Sequence, residues 1–199
     1  MTWRTVRGLS TVVFLLCAIP EAVACQRILI VYYSRTGHTE QLAEAVAAGS
    51  RSVAGSDVRL LSVEGVSPDD VLWADALIVG SPVHAANISP PILEFLGSFP
   101  FGGEMRDKVG AAFVTGGGIS AGEEAVQLAI LRAMLVYGMI VVGGPSWTEA
   151  FGASAVTGEP PFADTGAVAS IDSIFLGKGS SLGARVARVA RRLGNRGGR

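Results

Sequence analysis

The sequence predicts an α/β fold: a parallel sheet of five strands in the order 2-1-3-4-5, covered by helices on both faces. Three observations predict it. Apolar strand-like runs alternate with helical patterns along the whole chain, as in βαβ units. The first run, Ile28–Tyr33, is apolar or aromatic without a gap, as befits a central strand buried on both faces. The least ordinary loop sequences, 34–39, 81–87 and 115–122, each follow the carboxyl end of a strand, where such sheets bind ligands.

The elements follow in order. Strand one leads into Ser34-Arg35-Thr36-Gly37-His38-Thr39. A helix starts there, with Thr39 as its candidate N-cap and Leu42, Ala43, Val46 and Ala47 on one face. Asp57–Val63 reads as strand two. Ser67 caps a short helix with Pro68 at its first position. Asp75–Gly80 is strand three, and 81–87 is the loop beyond it. Ser89-Pro90-Pro91 starts the next helix, carrying Ile92, Leu93, Phe95 and Leu96. Lys108–Val114 is strand four, 115–122 a glycine-rich loop, and Glu123–Tyr137 a long helix. Met139–Val142 is strand five. Residues 145–165, rich in Gly and Pro, read as a surface insertion. Leu182–Leu193 is the last helix, with Leu182, Val186, Val189 and Leu193 as its apolar stripe. The tail 195–199 reads as frayed.

The 199 residues suit one domain over 25–194. Hydrophobic residues make up 49%, the net charge is −1 and the pI is about 6.1. Nothing here suggests a nucleic-acid partner. Residues 1–24 resemble a signal peptide. Arg4 and Arg7 precede the apolar run Leu9–Ile19, and Ala22-Val23-Ala24 forms an A-x-A cleavage pattern. Cys25 directly after it resembles a lipoprotein acceptor, although Ala22 stands where Leu is usual. Export or membrane anchoring is the expectation. The alternative is a cytoplasmic chain with a misassigned start near Val23. Cys17 and Cys25 are the only cysteines and offer no disulfide framework.

The first loop suits a phosphate. Helix N-termini carry unpaired N–H donors and about half a positive charge. Ser34, Thr36 and Thr39 add hydroxyls, and Gly37 allows close backbone approach or positive φ. S-R-T-G-H-T resembles the phosphate loop of flavodoxin-like proteins, Ser/Thr-x-Thr-Gly-x-Thr, at all four specified positions. The segments 81–96 and 110–143 resemble those of the NAD(P)H:quinone oxidoreductases of the tryptophan-repressor-binding-protein family, as do Phe151-Gly152-Ala153 and the late helix at Leu182-Gly183.

This resemblance implies a flavodoxin-like three-layer sandwich, FMN as cofactor, NAD(P)H as electron donor, a quinone as acceptor, and a dimer or tetramer. It implies an FMN phosphate held by Ser34, Arg35, Thr36, Gly37, His38 and Thr39. The isoalloxazine would lie along Pro82, Val83, His84 and Ala85, with Asn87 just beyond. Thr115, Gly116, Gly117, Gly118, Ile119 and Ser120 would border the pyrimidine side. Tyr137 stands where the family has a flavin-contacting His.

The chain departs from the family at Ala85, where a bulky aromatic is usual, and in the loop before strand four, which is shorter and offers Phe99 and Phe101. Plainer readings stand beside the others. His38 reads as solvent-exposed beside the phosphate rather than catalytic. His84 either tunes the flavin or packs in its loop. Gly116-x-Gly118-x-x-Ala121 is a weak dinucleotide fingerprint, since Val141 and Val142 occupy the place of its usual acid. Arg185, Arg188, Arg191 and Arg192 read as a solvated helix face. No triad or metal cluster stands out, so no catalytic residue is assigned. The competing classes are an electron carrier, against which the mild pI speaks because docking carriers are strongly acidic, and a scaffold without flavin, against which the intact loop speaks.

Overall fold

The structure, a computed structural model, describes residues 25–163 and 170–197. Its sheet is built from β1 (Gln26–Tyr32), β2 (Ser56–Ser62), β3 (Ala76–His84), β5 (Val109–Gly116), β6 (Ile140–Val141) and β7 (Ala153–Val156). A two-residue strand, β4 (Asn87–Ile88), folds back antiparallel on the end of β3. The helices are α1 (His38–Arg51), α2 (Pro68–Trp73), α3 (Pro90–Gly97), α4 (Glu123–Val136) and α5 (Ser173–Gly197).

The order β2-β1-β3-β5-β6 is the expected one, with all pairs along it parallel. Successive side chains of a strand point to opposite faces, and the core divides accordingly. Ile28 and Ile30 of β1, with Ala76 and Ile78 of β3, pack under α1 and α5. Leu29 and Val31, with Leu77 and Val79, pack under α2, α3 and α4. All eight are fully buried, so the sheet is the middle of three layers.

Helices α1 and α5 approach through glycines. A Cβ on Gly183 would lie 2.0 Å from the Val46 carbonyl oxygen, and one on Gly49 would lie 1.9 Å from that of Ser180. On the other face Ser67 caps α2 as expected: its hydroxyl accepts from the Asp70 N–H while the Asp70 carboxylate accepts from the Ser67 N–H. Lys108, at the entry to β5, donates through Nζ to the carbonyls of Val71, Leu72 and Ala74. It thereby satisfies the last turn of α2.

Several expectations change. Strand three runs on to His84, through residues read as loop. Pro82 interrupts nothing on the β1 side, where pairing stops at Gly80. Residues 145–165 are not all surface insertion. Ala153–Val156 is β7, which pairs with Phe113–Gly116 while β6 pairs with Val109 and Gly110. The fifth strand is therefore split in two, and Ala153 and Ala155 are fully buried. Helix α5 starts nine residues before Leu182 and continues to Gly197, so 195–197 are helical rather than frayed. The signal-peptide segment 1–24 and the last two residues lie outside the described residues. No helix among the described residues is long and apolar enough to cross a membrane.

Candidate functional site

The first loop joins β1 to α1. Gly37 is the N-cap of α1, at φ 89 and ψ −15, a left-handed conformation that glycine adopts at no steric cost. Its N–H donates to Ser34 Oγ at 3.1 Å. The expectation that Thr39 caps the helix is corrected. Thr39 lies inside the first turn, is buried, and hydrogen-bonds through Oγ1 to Thr115 Oγ1 at 2.8 Å. A glycine cap has no side-chain oxygen, so the first-turn amides of α1 keep their affinity for an anion from outside. Thr36 Oγ1 and His38 Nδ1 are 2.8 Å apart, and Arg35 is exposed at the rim. Below the loop, Tyr32 donates its hydroxyl to Glu40 at 2.8 Å. Burial and that bond push its phenol up to about 12.

The second loop is a tight hairpin. Val83 pairs with Ile88 and His84 with Asn87, leaving Ala85 and Ala86 as a two-residue turn. Both have positive φ, 49 and 57, as a type I′ turn requires. Alanine is poorly suited to that region, at about 1–2 kcal/mol per residue. The turn is held from two sides. Asn87 Nδ2 donates to the Ala85 carbonyl at 2.8 Å. Gly122, the N-cap of α4, abuts Ala86 so closely that a Cβ there would lie 2.8 Å from the Ala86 Cβ. At the base of the hairpin the Ser89 N–H donates to the buried Ser81 Oγ at 3.0 Å. Tyr33 meets the His84 ring edge-on, with centroids 6.4 Å apart.

The third loop leaves β5 at Gly116. Its backbone is followed by the segment after β7: the Thr157 N–H donates to the Gly116 carbonyl and the Gly158 N–H to that of Gly117. Glu123, in the first turn of α4, packs under Gly116, where a Cβ would meet Glu123 Oε1 at 2.7 Å.

A cleft of about 200 Å³ opens between the three loops. The first loop contributes Arg35, Thr36, His38 and Thr39, the second Pro82, Val83 and His84, and the third Thr115, Gly116 and Gly117. Ser34 and Gly37 shape the first loop without lining the cleft. Ala85, Asn87, Gly118, Ile119 and Ser120 belong to the outer parts of the other two loops. Tyr137 is not brought to this cleft. Helix α4 begins at the third loop, and its 14 residues carry the chain about 21 Å back across the sheet at about 1.5 Å each. There Tyr137 packs against Phe99 and Phe101. Thr157 lines the cleft and was missed, because its segment reads as insertion. The small alternating residues of Ala153-Ser154-Ala155 were the available signal. Among the described residues no His, Cys, Asp or Glu cluster suits a metal ion.

An uncapped helix N-terminus with three hydroxyls and a cation, facing an apolar hairpin at the switch point of the sheet, defines a doubly wound α/β protein built for a phosphate-bearing ring cofactor. The comparisons agree. Residues 68–153 match the family model described as NADPH-dependent FMN reductase. A flavodoxin of Aquifex aeolicus is 38% identical over 141 residues, covering 67% of this chain and 76% of its own. An NAD(P)H dehydrogenase (quinone) of Azorhizobium caulinodans is 32% identical over 163 residues, covering 70% and 81%. The crystal structure of a WrbA-like flavodoxin from Agrobacterium tumefaciens superposes with a TM-score of 0.68 at 23% identity, covering 84% of this chain and 98% of that one. The chain belongs to the flavodoxin-like family of FMN proteins. FMN is the cofactor of the family, and the residues present fit it.

Proposed function

We propose that the chain is an FMN-dependent NAD(P)H:quinone oxidoreductase. The observation that carries this reading is the Ala85-Ala86 turn, exposed and built of the smallest side chains that bear a Cβ. It leaves the space above the second loop open. Hydride transfer needs that space, because the reacting atoms must come within about 3–3.5 Å. Relatives named NAD(P)H dehydrogenase (quinone) at 32% identity support it.

Bound FMN would supply the redox chemistry, relaying the two electrons and one proton of an NAD(P)H hydride, together with one proton from solvent, to a quinone that leaves as hydroquinone. The protein binds and orients. The first-turn amides of α1 and the hydroxyls of Thr36 and Thr39 would hold the phosphate, with Ser34 shaping the loop through the Gly37 N–H and Arg35 adding charge. Val83 and Ala85 would lie along the ring, and Thr115–Ser120 would border its pyrimidine edge. His84, which meets Tyr33 edge-on, would tune the ring by hydrogen bonding. No side-chain acid or nucleophile is needed.

The second reading is an electron carrier without NAD(P)H activity, favoured by the flavodoxin relative. Purified protein should carry a flavin absorption spectrum and oxidise NADH or NADPH faster when benzoquinone is added. Bound flavin with negligible NAD(P)H oxidation would overturn the enzyme and leave the carrier.

A further inference from the structure

We propose that Glu159 is a positioning residue that clasps the glycine-rich loop into the shape that receives the flavin ring, an inference that rests on the FMN reading of the cleft. Gly116-Gly117-Gly118 is a flexible run, and glycine loses more backbone freedom on ordering than any other residue. Four hydrogen bonds between one segment and this run restrain it. The Thr157 N–H donates to the Gly116 carbonyl at 2.9 Å and the Gly158 N–H to the Gly117 carbonyl at 3.0 Å. In the third, the Ile119 N–H donates to Glu159 Oε2 at 2.7 Å. The Thr157 hydroxyl adds a fourth, to the Gly116 carbonyl at 3.2 Å. Of the four, the Glu159 bond alone is charge-assisted, the stronger class, and it alone holds the far end of the run.

The match extends to Gly118. A Cβ there would lie 2.9 Å from Glu159 Oε2, so a larger residue would displace the carboxylate. The residue two before Glu159, Thr157, lines the cleft, so the clasp and the cleft wall are one continuous piece of chain. A loop ordered in advance loses less entropy when its ligand arrives. Because this loop borders the ring and not the phosphate, the clasp should favour FMN and riboflavin equally.

The test titrates the full apo-chain with FMN and with riboflavin, followed by quenching of flavin fluorescence. Glu159→Ala should weaken both ligands by the same factor, about tenfold, equivalent to about 1.4 kcal/mol. Glu159→Gln keeps an acceptor oxygen and should restore most of the loss. Thr36→Ala, in the phosphate loop, should weaken FMN alone. Gly118→Ala should weaken both ligands in the wild-type background and change little once Glu159 is Ala. Thermal unfolding of each apo-variant separates loss of the fold from loss of the clasp. Wild-type affinity in Glu159→Ala, loss of FMN affinity alone, or full additivity with Gly118→Ala would overturn the proposal. A wild-type chain that takes up neither ligand would overturn the cofactor reading itself and the clasp with it.

Discussion

Thr39 and Thr115, 76 residues apart in sequence, share a buried 2.8 Å hydrogen bond. It ties the first turn of α1 to the end of β5. The hydroxyl that sequence pattern assigned to helix capping instead joins two of the three loops around the cleft.

Thr39→Ala should therefore act twice. It removes a hydroxyl beside the phosphate, with an effect of order 1.5–3 kcal/mol if the contact is to a charged group. It also leaves the buried Thr115 hydroxyl without this partner. FMN affinity should fall more than riboflavin affinity, and both should fall somewhat. Gly37→Val should abolish phosphate discrimination, since a β-branched residue resists φ 89. Titration of apo-protein with both ligands measures this. A wild-type chain that binds the two equally would refute the phosphate loop.

Ala85→Trp tests the open face. The turn geometry tolerates the change as poorly as it tolerates Ala, so the hairpin should persist. The indole should cover the ring, leaving FMN bound while turnover with NAD(P)H and benzoquinone drops. Wild-type kinetics should be ping-pong, because one ring face serves both substrates in turn. Unchanged turnover in the variant would show that the hairpin does not border the reacting face.

Two glycines of α5 should respond in opposite directions. Gly177 has open space where a Cβ would go, so Gly177→Ala should stabilise by about 0.5–1 kcal/mol through helix propensity. Gly183→Ala has the same propensity gain but places its Cβ 2.0 Å from the Val46 carbonyl oxygen. Backbone cannot yield as a flexible side chain can, and overpacking of about 1–3 kcal/mol should outweigh the gain. Denaturant midpoints of the two variants should move apart.

Glu149 supplies the pH prediction. It is 9% exposed, and its Oε2 finds no hydrogen-bond partner among the described residues. Burial pushes its carboxyl up, partly offset by Lys178. A raised value in the fold means that the stabilising contribution is complete below the unfolded value, about 4.3, and is lost as pH rises through the folded value. Glu149→Gln should thus raise the melting temperature at pH 7, with the gain shrinking towards pH 4. An equal gain at both pH values would show that the carboxyl is not the cause.

Much of this was legible because the signals were strong. The gapless Ile28–Val31 run is what a doubly covered strand requires, and Ser67-Pro68 is a strong start signal for a helix. The elements that escaped lacked such signals. Ala153–Val156 is a strand made of small residues between a glycine and a Thr-Gly pair, and its place is decided by β5, not by its own propensity. Ser81-Pro82 looked like the end of a strand because proline cannot donate to a ladder. The strand survives because β5 still pairs with it where β1 has stopped. Tyr137 was misplaced for a geometric reason: a helix returns its C-terminus to the opposite end of the sheet, which one-dimensional correspondence hides. Thr157 and Glu159 act only through β7, so missing that strand hid both.

The split of the fifth strand has a consequence for how this molecule meets its neighbours in a crowded cell. A long, flat sheet edge invites a foreign strand to add to it. Beyond β5 the sheet ends in two residues of β6 and four of β7, each matched to a different half of β5. An incoming chain would find no continuous ladder to copy, and the buried alanines of β7 belong to the core rather than to an adhesive stripe. The interruption gives this flank of the sheet protection against aggregation.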